Sequence, residues 1–305
     1  MQETAFAKDF TPVPRDIEAS QKINRVSLSY LQGVVLTLRQ NRLAMISLVF
    51  IIFMIGVAIF GPFILPDYQK EDLLNTLAAP SREHWFGTDN LGRDSLTRIV
   101  RGTRTSLALG FTAETINLVI GTIYGGIAGY VGGKVDMIMM RVVDVVVSIP
   151  QMIIMILLLT VFGGSVGTLI FALTITGWTG LARLVRGQVL QLRENEYAMA
   201  AQVLGASRWQ ILKTHLIPNA IGPILVNYTM SIPSAIGAEA YLSYLGLGIS
   251  IPEASWGNLL QLGANQFPGA LWLFFFPALV FALTMLAFNL LGDGLRDALD
   301  PKMRR

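Results

Sequence analysis

LAMISLVFIIFMIGVAIFGPFIL, residues 43–65, runs for 23 residues without one charged side chain. As an α-helix it would rise about 35 Å at 1.5 Å per residue. A bilayer's hydrocarbon core is about 30 Å thick, so this stretch has the length and character of a membrane span. The segment before it is polar and charged, and Pro12 and Pro14 would break any early helix. The apolar run therefore reads as a retained span and not as a cleaved leader.

Five further apolar stretches of similar length follow, at about 107–131, 137–162, 166–190, 221–244 and 271–291. The whole chain has 305 residues, 53% apolar and 14% charged. Soluble domains average about 45–50% apolar and about 25% charged. The expected fold class is an all-α polytopic membrane protein of six transmembrane helices, an N-terminal span followed by a five-helix core. The segments do not alternate in the manner of barrel strands. Cysteine is absent, which removes disulfides and thiolate metal sites. A net charge of +3 is too modest to suggest a nucleic-acid partner, and basic residues in such a chain report topology first.

The expected organisation is an N-terminal tail over 1–42, a first span over 43–65, a loop over 66–106, a core over 107–292 and a C-terminal tail over 293–305. An even number of spans puts both tails on one side. With that side cytoplasmic, Lys8, Arg15, Lys22, Arg25, Arg39, Arg42, Lys134, Arg141, Arg183, Arg186, Arg193, Arg208, Lys213, Arg296, Lys302, Arg304 and Arg305 lie inside. The outside keeps Lys70, Arg82, Arg93, Arg98, Arg101 and Arg104, all in the 66–106 loop. The excess inside favours this orientation, and the loop violates the rule locally. Trp256 and Trp272, near the last loop, are expected at a membrane interface.

NEYAMAAQVLGASRWQILKTHLIPN, residues 195–219, interrupts the apolar pattern. Asn195 can cap a helix, with Glu196 beside its positive dipole end. Tyr197, Ala201 and Leu204 follow at helical spacing with Ala198 alongside, and alanine leaves that face flat enough for another surface to approach. Gly205 ends the helix. A second helix starts near Ser207, with Trp209, Leu212 and Leu216 expected on one face and Pro218 stopping it before the next span. A pair lying on the bilayer is the plain alternative, but a lipid-facing helix would favour Leu and Phe over alanine. A docking surface for a soluble partner fits better.

This stretch resembles the cytoplasmic loop of ATP-binding-cassette importer permeases, E-A-A, three residues, G, nine residues, I-x-L-P. Aligned on Gly205, Ala200 and Ala201 match the alanines and Pro218 the proline. Met199 stands where many members carry glutamate, His215 where they carry isoleucine and Ile217 where they carry leucine. FGTDNLGRDSLTRIVRGTRTSL (86–107), MRVVDVVVSIP (140–150), AYLSYLGLGI (240–249) and FNLLGDGLRDALDPK (288–302) resemble the C-type subunit of dipeptide and oligopeptide permeases. The similarity runs from the first span to the C-terminus.

The resemblance implies coupling helices at 195–217 that seat in a cleft of an ATPase subunit. Glu196, Tyr197, Ala198, Ala200, Ala201, Gly205, Ala206, Trp209 and Pro218 are the residues it assigns to that role; the missing glutamate leaves its polar contact open, with Glu196, one helical turn earlier, the nearest candidate. It also implies a homologous permease partner, two cytoplasmic ATPase subunits holding ATP and Mg, and an extracytoplasmic peptide-binding protein. The place would be a bacterial cytoplasmic (inner) membrane, with both termini cytoplasmic. Nickel and glutathione importers share much of the pattern, so they remain alternatives for cargo.

Polar residues inside spans are costly and are functional candidates by default. Glu114 and Asn117 lie three apart, facing the passage or a partner. Glu239, near the outer end of the fifth span, either contacts cargo or a gate, or anchors the outer loop. Arg141 and Asp144, also three apart, read as a local ion pair, and Pro150 is expected to kink its span. Gly121, Gly125, Gly126, Gly129, Gly132 and Gly133 make the second span close-packing, with Gly125 and Gly129 a G-x-x-x-G pair.

Gly133–Lys134 lacks the rest of a G-x-x-x-x-G-K-[ST] phosphate loop. No nucleophile–base constellation appears. The chain is expected to have no enzyme activity and no cofactor of its own. An ion-driven transporter would need buried ion-binding carboxylates, for which Glu114 and Glu239 are the candidates. A membrane scaffold would explain the docking loop but not the glycine-rich multi-span core.

Overall fold

The computed structural model describes residues 30–250 and 252–299. The tail prolines, the basic residues before Tyr30 and those after Leu299 lie outside the described residues. All described elements are helical, apart from one isolated bridge between Thr88 and Asp94. In chain order they are α1 (Tyr30–Gln40), α2 (Arg42–Ile64), a 3₁₀ turn (Leu73–Asn75), α3 (Ser95–Val131), α4 (Gly133–Ser148) and α5 (Gln151–Phe162). Then come α6 (Val166–Leu192), α7 (Glu196–Val203), α8 (Arg208–Ile211), α9 (Ile217–Tyr244), α10 (Trp256–Asn265) and α11 (Leu271–Leu299).

Four described helices, α2, α3, α6 and α11, are long and apolar enough to cross a membrane. The expected third span is broken: α4 and α5 meet at Ile149–Pro150 with a 69° bend, so together they make at most a fifth crossing. Proline at 150 removes a donor and forces its predecessor out of helical geometry. The expected fifth span lies in α9, 28 residues long, which is not among those four.

Several boundaries move. α3 starts at Ser95, capped by the Asp94 carboxylate, which accepts from Thr97 N–H at 2.9 Å. The expected 66–106 loop is therefore loop only to Asp94. The last part of the expected N-terminal tail forms α1, which packs on α11, and α11 itself runs to Leu299 through residues expected in the C-terminal tail.

The bundle closes around the α3–α6 pair. A methyl group on Gly121, Gly125 or Gly129 would come within 2.9, 2.2 and 2.8 Å of the carbonyls of Trp178, Ala182 and Arg186. These three glycines, one per turn, let the two backbones touch, as the G-x-x-x-G reading expects. Gly126 points elsewhere and would meet only side chains at 3.5 Å. One apolar cluster joins α3, α5, α6 and α9 around Leu109, Met155, Leu173 and Leu242. A second joins α2, α3, α9 and α11 around Ile51, Leu107, Ile236 and Phe288. A third secures the short helices, setting Ala198, Ile211, Leu212 and Leu216 on Val185, Val189 and Ile224.

Candidate functional site: the short-helix end and the opposite cap

α7 begins after Asn195, whose side chain makes no capping bond and instead donates to the Tyr197 hydroxyl at 3.5 Å. It ends as expected. Gly205 has φ +84°, Ala206 N–H donates to Ala201 carbonyl at 3.1 Å, and Gly205 N–H donates to Gln202 carbonyl at 3.0 Å. That pairing is the Schellman closure, which needs a left-handed residue and so favours glycine. Ser207 caps α8 by accepting from Gln210 N–H at 3.3 Å.

Pro218 does not stop the second helix. α8 continues through a π-turn, Leu212–Leu216, into α9 without a break, and Pro218 sits in the first turn of α9. The wider turn accommodates the missing N–H, and Asn219 Nδ2 donates to the His215 carbonyl at 2.6 Å. The short helices are therefore mounted directly on a long helix of the bundle.

Burial divides the segment differently from the expected faces. Ala198 is buried, Ala201 and Ala206 are half-buried, and all three pack on the chain's own core. Trp209 is exposed, while Leu212 and Leu216, expected on its face, are buried beside Ile211. The outward surface consists of Glu196, Tyr197, Met199, Ala200, Gly205, Trp209 and Pro218 together with Val203 and Leu204. Val203 and Leu204 are each 87% exposed, which is costly for two adjacent aliphatic side chains without a covering surface. Sequence reading placed Leu204 at helical spacing with Tyr197 and Ala201 and missed Val203, although an apolar pair beside the helix-ending glycine was visible. A groove of about 420 Å³ lined by Tyr130, Arg193, Met199, Gln202 and Arg208 flanks them.

The charges of the spans are paired across helices. Asp144 lies 4.0 Å from Arg141, its expected partner, but accepts from Arg183 Nη2 of α6 at 2.8 Å. Arg186 of α6 forms a two-point pair with Asp136 of α4, with Nη2 to Oδ2 at 2.6 Å. Asn117 is buried and donates to Glu114 at 3.2 Å, against the bare backbone of Gly177.

Glu239 is fully buried. It accepts from Ser243 Oγ at 2.6 Å and from Ser106 Oγ at 3.4 Å. Those hydroxyls accept in turn from Ile249 N–H and Trp256 N–H, both at 3.2 Å. The carboxyl thus ties α3 and α9 to the 245–256 loop. Trp256 is buried in the same place, donating to Thr103 Oγ1 at 3.2 Å. It is a core residue, not an interfacial one, because its ring fills the space between α3 and the Phe281 ring.

Residues 66–94 and 245–270 form a cap over this end of the bundle. The Asp89 carboxylate is buried and takes Arg93 at 2.8 Å and also Arg98. Arg101 grips Glu253 at 3.0 Å and lies over the Tyr68 ring. Phe86 stacks on Phe276 at 4.1 Å, and Trp272 Nε1 reaches the Thr88 carbonyl at 3.5 Å. Outside this core, hydrogen bonds from Asn75 and Leu74 hold the exposed Asp72 carboxyl below its usual pKa.

Residues 121–305 match the family described as binding-protein-dependent transport system inner membrane component, and residues 29–80 match the N-terminal transmembrane domain of oligopeptide transport permease C. The chain is 48% identical over 288 residues to the dipeptide transport system permease protein DppC of Bacillus subtilis, covering 94% of this chain and 90% of that one. It is 46% identical over 297 residues to the oligopeptide transport system permease protein OppC of the same organism, covering 97% of each. The glutathione transport system permease protein GsiD of Pectobacterium atrosepticum is 39% identical over 271 residues, covering 88% of this chain and 89% of that one. Among solved structures, a chain of the MetNI methionine ABC transporter in an inward-facing conformation superposes with a TM-score of 0.53. It is 22% identical and covers 67% of this chain and 97% of that one, a likeness of fold.

Proposed function

We infer the working of this protein from one premise: the chain belongs to the family of binding-protein-dependent transport inner membrane components. It is a membrane subunit of an ATP-driven importer of oligopeptides or dipeptides and contributes to the translocation pathway. The observation that carries the coupling role is the apolar outward surface of Met199, Val203 and Leu204 on the first short helix, whose Ala198 is set in the core and which is followed by a second short helix continuing into α9. Such a surface needs a soluble partner, and a push on it is transmitted without slack, since packed helices move as rigid bodies.

The partners in this reading are a homologous permease subunit, two ATPase subunits and a peptide-binding protein on the opposite side. ATP and Mg are held by the ATPases, and this chain needs no cofactor. ATP binding draws the ATPases together, the short helices move with them, and the spans tilt to accept cargo. Hydrolysis returns the bundle to its inward-facing state.

The short-helix end faces the cytoplasm in this reading. The basic residues of 183–213 cluster there. At the cap, three of the arginines that break the rule are paired with two carboxylates, Arg93 and Arg98 with Asp89 and Arg101 with Glu253, which leaves one net positive charge among them. Peptides are the favoured cargo because the two B. subtilis relatives, at 48% and 46% identity, are named for them. Glutathione is the second reading, from the 39% identical relative.

The test is co-purification of the complex from its own membrane, followed by peptide-stimulated ATP hydrolysis. Gly205→Leu forces a branched residue into φ +84° and reshapes the helix junction. Loss of the ATPases with the permease partner retained supports the reading. Wild-type recovery and import in the Gly205→Leu, Leu204→Arg double variant, which charges the outward surface, would refute it.

A further inference from the structure

α4 is fastened to the bundle in an unusual way. Val143 is its one buried residue, so apolar packing holds it weakly. Both its ends are joints. Gly132 precedes it and Gly133 opens it, with φ of 68° and 57°, two successive positive-φ residues that break helical continuity with α3. Ile149 and Pro150 follow it, where the axis turns by 69° into α5. Hinges are the few residues that absorb such changes while the elements between them stay rigid.

Polar contacts supply the fastening. Asp136 and Asp144, eight residues apart, lie on one side of α4. Arg186 and Arg183, three apart on α6, receive them, at 2.6 Å for Arg186 Nη2 and 2.8 Å for Arg183 Nη2. A third tie is the Tyr124 hydroxyl of α3, which donates to the Met139 carbonyl at 3.0 Å. The Asp144–Arg183 pair is about half exposed and the Asp136–Arg186 pair less so. The exposed Asp144–Arg183 pair contributes little net stability, whereas the two-point Asp136–Arg186 pair, with Asp136 only 13% exposed, is the firmer of the two. They are directional, however, and hold a helix in one register.

We propose that α4 is a hinged strap, latched across α6 by Asp136–Arg186 and Asp144–Arg183, that unlatches during each transport cycle. The proposal rests on the reading of this chain as a subunit of an ATP-driven importer. A tightly packed helix could not be released at small cost. A helix carried by one exposed ion pair and one two-point pair, with a single buried apolar residue between two joints, can swing while α3 and α6, fused by their glycines, stay together.

The chain lacks cysteine, so introduced thiols are unique within it, and the other subunits are used in cysteine-free form. Asp144→Cys with Arg183→Cys, in the complete complex in liposomes, is bridged by a short disulfide-forming bifunctional reagent. ATP-driven uptake is compared before and after reduction of the same sample. The bridged complex should take up peptide at least about tenfold more slowly and recover on reduction. Equal uptake in the two states overturns the latch.

A second measurement does not depend on uptake. Spin labels on Ile138→Cys and Ile123→Cys, both at exposed positions, report the strap against α3. Their separation should change by about 5 Å between nucleotide-free and ATP-bound complexes, the scale of a one-turn helix shift. An unchanged separation also overturns it. Failure of the unmodified complex to import peptide counts against the importer reading instead, and the spin-label distance still decides the strap.

Discussion

Replacing Glu239 with alanine separates an anchor from a gate. The carboxyl is fully buried and receives two serine hydroxyls, Ser243 at 2.6 Å and Ser106 at 3.4 Å. In Glu239→Ala both hydroxyl hydrogens lose their acceptor. A buried group left unpaired costs about 1–3 kcal/mol. Here each hydroxyl oxygen still accepts a backbone N–H, from Ile249 or Trp256, so the lower end of that range applies. The vacated side-chain volume adds a cavity cost of about 1 kcal/mol, scaled down from larger truncations because the site is polar and can admit water. The total is about 3 kcal/mol, or about 6–12 °C in Tm at about 2–4 °C per kcal/mol.

Glu239→Gln keeps an oxygen acceptor and offers an amide to a hydroxyl oxygen with a spare lone pair. It should cost less than about 1 kcal/mol. The assay is the fraction of intact complex surviving graded heating in detergent, with uptake measured in parallel at low temperature. An anchor predicts a lowered midpoint for alanine and near-normal stability and uptake for glutamine. Normal heat resistance in Glu239→Ala, or a Glu239→Gln that is stable but dead in transport, would refute the anchor and make the carboxyl part of the passage.

At the α3–α6 contact, Gly125→Ala sets a methyl 2.2 Å from the Ala182 carbonyl and should destabilise by about 1–3 kcal/mol. Gly126→Ala, with its nearest contact a side chain at 3.5 Å, should be close to neutral in the same thermal assay. Arg101→Ala releases Glu253 at a partly exposed pair, so global stability should fall by less than about 1 kcal/mol. The cap should nonetheless become nickable by protease within 66–94. Arg101→Lys should not restore protection, because lysine cannot reproduce a forked grip on a carboxylate. Trp209→Ala, at an exposed position, should leave thermal stability within about 0.5 kcal/mol while weakening recovery of the ATPases. Unaltered recovery would remove Trp209 from the docking surface.

Legibility in the sequence followed the range of the interaction. Pro150 announced a break because its effect on backbone geometry is local, and Gly205 announced a helix end for the same reason. The glycines of α3 announced close approach, and three of them, one per turn, make it. Pairings across helices were not visible. Asp144 has Arg141 three residues away in the chain, yet Arg183, thirty-nine positions on, holds it more closely. The start of α3 was misplaced because Arg98 and Arg101 looked like loop residues. Only once Asp89 and Glu253 are seen beside them do charged residues fit a helix that runs on into the membrane core.

Composition and apolar run length determined by themselves that this is a helical membrane protein, because a bilayer imposes a minimum length on every span. Local patterning likewise determined that two short helices interrupt the spans at 195–217. Which face of those helices is left outward was decided only by the tertiary structure. Helical spacing groups residues into faces but does not say which face finds a neighbour. Alanines at 198 and 201 suit close contact with any surface, and here that surface is the chain's own core, which turns Val203 and Leu204 outward. The same holds for Glu239. A buried carboxylate is equally costly at a gate or at an anchor, and what the tertiary structure adds is the two serines that tie it to the 245–256 loop.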